Sequence, residues 1–380
     1  MKFNKWTIGL AAVGVISFAS AARADETKMS QVQTALSSTT LSGYVDVAAQ
    51  YQSASVAAAF PSYATGVGAD TIGLNVIDIA LDKPLDSTPW ASGYHVELWL
   101  GPEATAYGLT PIRQAYIALA TPIGNSTIDW KIGVWDTIIG YEGLTSANNP
   151  NYTHSYGFGI EPTTHTGIQG TYQINSNVSV TAGLADDSHT GGAYSAAVNG
   201  VGVGGNGAPA GLLVPTVMGL VALTAPDSFG PLKGATLSVG GMNTGGGANG
   251  QSAYNLYAGV TVPTPNTALK FGGSFDYAGS SGFADAYALG LYSTYQFNDK
   301  MSLNLRGEYA CAHVIGAGAE GFGAEELTAT LSYNLWANVL SRLEVRWDHT
   351  SVPGGAFANT TNGGAEKNAF LVAAQLIYTF

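Results

Sequence analysis

Polar and apolar residues alternate along much of this chain, and this alternation constrains the fold more than any other feature. In the segment 338–350, Arg342 and Glu344 share one parity, whereas Leu343 and Val345 share the other. A period of two is the pattern of a β-strand whose two faces meet different surroundings. A water-soluble sandwich with its apolar face in a core fits this pattern, and so does a membrane barrel with its apolar face in lipid.

The composition favours the barrel. Charged residues make up 11% of the chain, whereas soluble domains contain about 25%. The mean hydropathy is +0.13, yet the best candidate for a later membrane helix, LLVPTVMGLVALTAP, is short and contains two prolines. Apolar residues spread over short alternating segments are the sequence signature of a transmembrane β-barrel.

The first 24 residues predict an export signal. Lys2 and Lys5 precede an apolar run from Trp6 to Ala19, and Ala22-Arg23-Ala24 fits a cleavage site. This run has 14 residues, whereas a helix that spans a bilayer needs roughly 20. We therefore expect residues 1–24 to be removed, residues 25–40 to form a polar tail and residues 41–380 to form the barrel.

The end of the chain points to the same compartment. Phe380 is the last residue, and Tyr378, Leu376 and Val372 share its parity. A terminal aromatic residue after alternating apolar residues resembles the assembly signal of bacterial outer-membrane β-barrels. The prediction is an all-β fold, a transmembrane antiparallel up-and-down β-barrel in the bacterial outer membrane.

Sixteen strand-like runs are separated by turn residues. Turns after even-numbered runs are mostly short, as in NSN and PTPN, and most long connections follow odd-numbered runs. This asymmetry is typical of outer-membrane barrels, and a barrel with this strand count encloses an aqueous lumen. The predicted strands are 41–53, 71–82, 91–101, 109–120, 127–139, 163–175, 177–186, 214–225, 233–243, 251–263, 267–279, 283–298, 300–314, 324–335, 338–350 and 368–380.

The net charge argues against a nucleic-acid-binding protein, and the cysteine content excludes an intrachain disulfide framework. The net charge of −12 becomes −15 when Lys2, Lys5 and Arg23 leave with the signal, which disfavours nucleic acid as a partner. Cys311 is the single cysteine, so no disulfide framework can form within the chain. The expected partners are outer-membrane lipid and small hydrophilic solutes or ions, with no cofactor. The sequence does not determine the oligomeric state, and a homo-oligomer is one possible state.

One region resembles a known family. The motifs are RQAY at 113–116, KIGVWDT at 131–137, GYE at 140–142, NNPNY at 148–152, SYGF at 155–158 and EPTTHTG at 161–167. They are similar to motifs of the OmpL-like β-barrel porin-2 group of bacterial outer-membrane proteins. The resemblance implies an outer-membrane channel and no catalytic residues.

The third long connection, 140–162, is the leading candidate for a functional segment. By analogy with general porins, whose third outer loop enters the barrel, we expect it to narrow the lumen, although an outer-rim position is the alternative. Its candidate pore-lining residues are Tyr141, Glu142, Asn148, His154, Tyr156 and Glu161. The strands add Arg113, Lys131, Arg306, Glu308, Arg342, Glu344 and Arg346, which form either a transverse field across the pore or cross-strand ion pairs.

Other functions have weaker support in the sequence. His154, Glu161 and His165 match no dense metal-ligand motif. A lipid-modifying barrel enzyme needs a serine beside an outward histidine, either His313 or His349, and no G-x-S-x-G motif accompanies them. An adhesin or receptor with a closed lumen remains the main alternative to a porin. We expect no catalytic, cofactor or metal site.

Overall fold

The computed structural model describes residues 38–56, 70–106, 111–190, 215–244, 253–280, 284–314, 322–359 and 363–380. The expected export signal and residues 25–37 of the expected tail lie outside these ranges. Sixteen antiparallel strands, β1 to β16, form a closed barrel. They are Thr40–Gln52, Thr71–Lys83, Ser92–Leu100, Ile112–Ile123, Ser126–Asp136, Pro162–Asn175, Val178–Thr190, Thr216–Thr224, Thr236–Thr244, Ala253–Pro263, Leu269–Ser280, Ala284–Asn298, Met301–Val314, Phe322–Trp336, Val339–Thr350 and Asn368–Thr379.

The barrel closes between its first and last strands. Tyr44 of β1 lies opposite Thr379 of β16, and the ladder continues to Gln52 opposite Leu371. Beyond it, the backbones of Gly43 and Phe380 exchange two hydrogen bonds of 3.1 and 2.9 Å. Closure gives each backbone donor and acceptor of the strands a neighbour, which lipid requires because it offers no hydrogen bonds.

The predicted faces are confirmed. Leu327, Leu343 and Val345 are exposed on the outside, whereas Arg342 and Glu344 are buried inside. Exposed aromatic side chains cluster at strand ends on the short-turn side, including Tyr295, Phe297, Trp336 and Tyr378. The apolar face therefore points outward, toward lipid.

The predicted strand number and the placement of turns are confirmed. Each of four connections after even-numbered strands leaves two residues between strands: 124–125, 176–177, 299–300 and 337–338. Longer connections carry short elements: helix α1 at Pro102–Ala106, helix α2 at Tyr156–Ile160, and 3-10 helices at Ser146–Asn148 and Asp227–Leu232. Strands Ala54–Val56, Phe357–Asn359 and Ala365–Glu366 form a separate small sheet.

The predicted end of the fifth strand is wrong, and the reason concerns where its last residues are buried. The fifth strand ends at Asp136, not at residue 139. Ile138 and Ile139 leave the barrel wall and pack inside it against Met218 and Leu220. Both isoleucines continue an apolar pattern, so the sequence alone did not distinguish burial in lipid from burial inside the barrel. In the described part of the chain, every helix is too short or too polar to cross a membrane.

The lipid-facing surface leads to a stability prediction. Leu343→Arg places a charge on an outward side chain that is 53% exposed, and it is expected to lower the free energy of unfolding by about 2–4 kcal/mol. Leu232→Arg is the matched control, because Leu232 is 48% exposed but lies in the 3-10 helix outside the strands. Denaturant titration in lipid vesicles measures both variants. Equal effects would contradict the assignment of this face to lipid.

Candidate functional site: a segment inside the barrel

The connection between β5 and β6, residues 137–161, lies inside the barrel and is called the inward segment. Its residues are mostly buried. Ile138 and Tyr141 pack against Met218, Met242 and Tyr257 of β8 to β10. Leu144 and Phe158 pack against the opposite part of the wall, where β1 to β3 contribute Tyr44, Val76 and Trp99. The inward segment therefore spans the lumen from one side of the wall to the other.

Three arginines of the wall bind carbonyl oxygens of the inward segment. Arg306 Nη1 donates to Thr153 O at 2.7 Å, and its Nη2 donates to His154 O at 3.2 Å. Arg346 Nη1 donates to His154 O at 2.6 Å. Arg342 donates to Ser146 O at 2.9 Å and to Asn149 O. A loop that leaves the β-ladder must find other donors for its buried carbonyls, and a guanidinium provides up to five.

Carboxylates accept hydrogen bonds from the backbone N–H groups of the same segment. Glu344 accepts hydrogen bonds from the backbone N–H groups of Tyr152 at 2.6 Å and Thr153 at 3.0 Å. Glu308 accepts from Tyr156 at 2.5 Å and from Gly157 at 3.1 Å. Within the segment, Glu142 accepts from Ser155 N–H at 2.9 Å. Charge-assisted hydrogen bonds are about twice as strong as neutral ones, so both sides of residues 152–157 are firmly fixed.

The charges also pair with one another. Arg306 lies 2.8 Å from Glu142 and 2.7 Å from Glu326, and Arg346 lies 2.8 Å from Asp348. These side chains are almost completely shielded from solvent. Removing one partner of a buried ion pair leaves an uncompensated charge, which costs about 3–5 kcal/mol. The pairs therefore contribute to holding the segment in one position.

Aromatic rings and glycines seat the segment against the wall. Tyr141 stacks on Tyr292 with 4.2 Å between ring centroids, and its hydroxyl lies 3.3 Å from Thr261 Oγ1. A Cβ atom at Gly272 of β11 would clash with that hydroxyl. At Gly140, φ is +115°, a conformation that favours glycine.

Tyr156 anchors helix α2. Its hydroxyl donates to Asp348 Oδ1 at 2.6 Å, and the guanidinium of Arg346 lies 5.2 Å from the centre of its ring. Burial, reinforced by the negative charge of Asp348, raises the pKa of Tyr156 well above its ordinary value. Tyr156 therefore remains a neutral hydrogen-bond donor.

Glu161 occupies the point where the segment returns to the wall. It is buried beside Asp276, with Glu142 and Glu308 nearby. Burial, followed by repulsion from Asp276, raises the pKa of Glu161 well above its ordinary value. A carboxylic acid in this place holds a proton that an exposed glutamate would have lost.

The remaining candidates of the segment have structural contacts. His154 Nε2 lies 3.0 Å from Gly143 O, and its ring stacks on Phe158 with centroids 4.0 Å apart. Asn148 ends the 3-10 helix Ser146–Asn148 and is half-buried. His165 Nε2 lies 3.1 Å from Thr137 Oγ1. Within the described ranges, no three His, Cys, Asp or Glu side chains are grouped so that they could hold a metal ion.

The wall formed by β2 to β5 carries the last two candidates. Arg113 bonds to Glu97 and, at 2.6 Å, to Asp136, and it lies over the ring of Trp99. Lys131 is half-buried, with Nζ 4.7 Å from the centre of the Tyr116 ring. The ring of Tyr116 also stacks on that of His95, which lies 3.0 Å from Asp82 and 3.2 Å from Glu97.

His313 and His349 lie on the outer face, as predicted. His313 Nδ1 is 2.8 Å from Asp285 Oδ1, its Nε2 is 3.8 Å from Cys311 Sγ, and His349 Nδ1 is 3.0 Å from Asn368 Oδ1. Among the residues that the structure describes, neither ring bonds to the serine hydroxyl that the lipid-enzyme hypothesis requires.

The structure brings eleven of the thirteen predicted residues to the inward segment or its anchors and leaves Arg113 and Lys131 on a separate part of the wall. The arginines of β13 and β15 do not face open water, because they are buried against the segment. The prediction missed Asn149 and Thr153, whose contacts come from the path of the loop. Asp276 was also missing, although it shares the polar parity of Lys270 and Ser274 in the predicted strand 267–279.

Glu161 leads to a prediction about pH. Its pKa is raised in the folded state, so its contribution to stability is complete below its unfolded pKa of about 4.3 and declines as pH rises toward the folded value. Glu161→Gln mimics the protonated acid. The variant should match the wild type near pH 4 and become the more stable of the two as pH rises, which thermal unfolding across pH measures. A constant difference at every pH would contradict the buried-acid assignment.

Comparison with known proteins places these features in a family. Residues 38–380 match the family model described as beta-barrel porin-2, OmpL-like. No curated protein matches the chain significantly.

Solved structures share the fold at low sequence identity. The barrel is similar to the outer membrane channel DcaP of Acinetobacter baumannii, with 11% identity, a TM-score of 0.61, and coverage of 93% of this chain and 100% of that chain. It is similar to the trimer form of OmpT of Vibrio cholerae, with 15% identity, a TM-score of 0.58, and coverage of 90% and 99%. The anion-selective porin from Comamonas acidovorans gives 14% identity, a TM-score of 0.57, and the same coverage. The match to the family model covers the whole barrel, so the chain belongs to the OmpL-like beta-barrel porin-2 family, and it is an outer-membrane β-barrel.

Proposed function

We propose that this protein is a porin through which small hydrophilic solutes or ions diffuse passively across the bacterial outer membrane. The observation that carries the proposal is the position of the inward segment, inside a closed barrel whose inner face is polar. A polar wall tolerates water and hydrophilic solutes, and such transport needs no cofactor.

The inward segment sets the narrowest part of the proposed pathway. It contacts opposite sides of the wall, and its backbone is fixed by arginines on one side and carboxylates on the other. A segment fixed in this way restricts the size of a solute much more tightly than the barrel alone. A homo-oligomer is compatible with this function, and one similar barrel, OmpT, has a trimer form.

A receptor or adhesin with a closed lumen is the second candidate, and one observation favours it. Each of the sixteen strands has an inward side chain that is at most 5% exposed, as Asp46, Trp135 and Ala288 illustrate. A lumen whose inner wall is covered to this degree would support outer loops without conducting. Conductance separates the two candidates.

Single-channel recording of the refolded protein in a planar bilayer tests the proposal. We expect discrete conductance steps from the wild type, and larger steps from a variant with a deletion within 148–160, because the deletion removes the obstruction. Steps of unchanged size would mean that the segment does not limit passage. Absence of steps from folded wild-type protein would favour the closed receptor.

Arg306→Gln tests the anchoring of the segment. The substitution removes its hydrogen bonds to Thr153 O and His154 O and its ion pair with Glu142, so we expect lower stability, by about 3–5 kcal/mol, and a higher mean conductance. Arg113→Gln is the matched control, since Arg113 is equally buried but binds strand residues Glu97 and Asp136. Arg113→Gln should not raise the mean conductance. An equal rise in both variants would contradict the proposal that Arg306 specifically holds the inward segment.

A further inference from the structure

We propose that the lumen prefers small cations over anions and that carboxylates on the wall formed by β2 to β5, with Asp129 foremost, create this preference. The inference rests on the proposed function, because it names the class of solute that the channel would favour. It follows from the distribution of charges that remain accessible inside the barrel.

The arginines of β13 and β15 are not available to attract anions. The side chain of Arg306 is 0% exposed and that of Arg346 is 1% exposed. Each guanidinium already binds carboxylates and backbone carbonyls of the inward segment. Arg342 is also buried and donates to Ser146 O, Asn149 O and Gln375 Oε1. The three arginines of these strands are therefore occupied by hydrogen bonds and covered by protein.

Accessible charge lies instead on the wall formed by β2 to β5. The side chains of Asp82 and Asp136 are 37% and 27% exposed. Asp129 is half-buried and accepts a hydrogen bond from Thr127 Oγ1 at 2.9 Å. These carboxylates are more accessible than Arg113, Arg306 or Arg346, whose side chains are at most 3% exposed.

The same wall has too few cations to balance its acids. Its buried inward groups are Asp78, Glu97 and Arg113, and its half-buried inward groups are Asp82, Asp129, Asp136 and Lys131. Asp78 is buried and accepts a hydrogen bond from Trp99 Nε1. Without it, the four carboxyl groups of Asp82, Glu97, Asp129 and Asp136 share this wall with Arg113 and Lys131, and a protonated His95 would still leave an excess of one negative charge. Two further lysines are half-buried among the described residues. Lys83 ends β2 on the outward parity of the exposed Leu81, and Lys270 lies on the inward face of β11, on a different part of the wall.

Uncompensated charge acts strongly in a narrow passage. Low-dielectric walls focus the field of a fixed charge into the lumen and raise the local concentration of the opposite ion. The field falls off with distance and with salt, so the groups nearest the water should matter most. Asp129 and Lys131 lie two residues apart on β5 and carry opposite charges, and hence substitutions at the two positions should shift the ion preference in opposite directions.

Reversal potentials across a KCl gradient test the proposal on the refolded full-length mature protein. We expect the wild type to be more permeable to K⁺ than to Cl⁻. Asp129→Asn should lower this permeability ratio and Lys131→Gln should raise it, each by about two- to fivefold. Asp227→Asn is the control, because Asp227 is an exposed carboxylate on the 3-10 helix Asp227–Leu232, where it pairs with Lys233 at 3.1 Å. The permeability ratio of the Asp227→Asn variant should equal that of the wild type.

Each outcome has a distinct meaning. A channel that conducts but favours Cl⁻, or neither ion, would overturn the cation proposal and leave the porin intact. A cation-selective channel in which Asp129→Asn and Lys131→Gln both behave as wild type would overturn the assignment to this wall. Folded protein without any conductance would instead contradict the proposed function. Heat-modifiable electrophoretic migration of every variant verifies that the barrel has formed.

Discussion

The need to satisfy backbone hydrogen bonds without water governs this structure at two levels. In lipid, an unpaired N–H or C=O group costs several kcal/mol, and the wall avoids this cost by pairing β1 with β16. Because lipid surrounds the closed barrel, Leu343 and its apolar neighbours lie outside and charged side chains lie inside, the reverse of a soluble protein. The terminal Phe380 takes part in the closure through its two backbone hydrogen bonds with Gly43.

The same need returns inside the barrel, where the inward segment has no ladder to join. Its carbonyls are bound by Arg306, Arg342 and Arg346, and its N–H groups by Glu308 and Glu344. Alternate side chains of a strand point to the same face. The inward-pointing polar side chains of β13 and β15 therefore offer hydrogen-bond donors and acceptors at regular intervals to the irregular backbone of the inward segment. The charged side chains of these strands therefore hold the inward segment. The accessible charges of the lumen are those on other strands, chiefly β2 to β5.

Two parts of the barrel wall therefore use their charged side chains differently. The side occupied by β11 to β15 anchors the segment, whereas β2 to β5 keep half-buried charged groups such as Asp129 and Lys131. On the proposed function, passage and ion preference depend on different residues: loosening an anchor should alter passage, and changing an accessible carboxylate should alter ion preference. Glu161 lies where the segment returns to the wall at β6, beside Asp276 of β11, and its buried acid makes stability depend on pH.

The sequence by itself determined the strand number, the two faces and the position of the turns, because a period of two records which side of a strand meets lipid and which meets the interior. It also identified most of the charged residues of the candidate site by parity. Only the tertiary structure decided what those charges do. Whether Arg342 faces water or a carbonyl depends on the path of residues 137–161, and that path is set by contacts such as Tyr141 with Tyr292 and Glu344 with Thr153, between residues far apart in the chain. Ile138 and Ile139 illustrate the limit, since an apolar residue buried in lipid and one buried inside the barrel look alike in sequence.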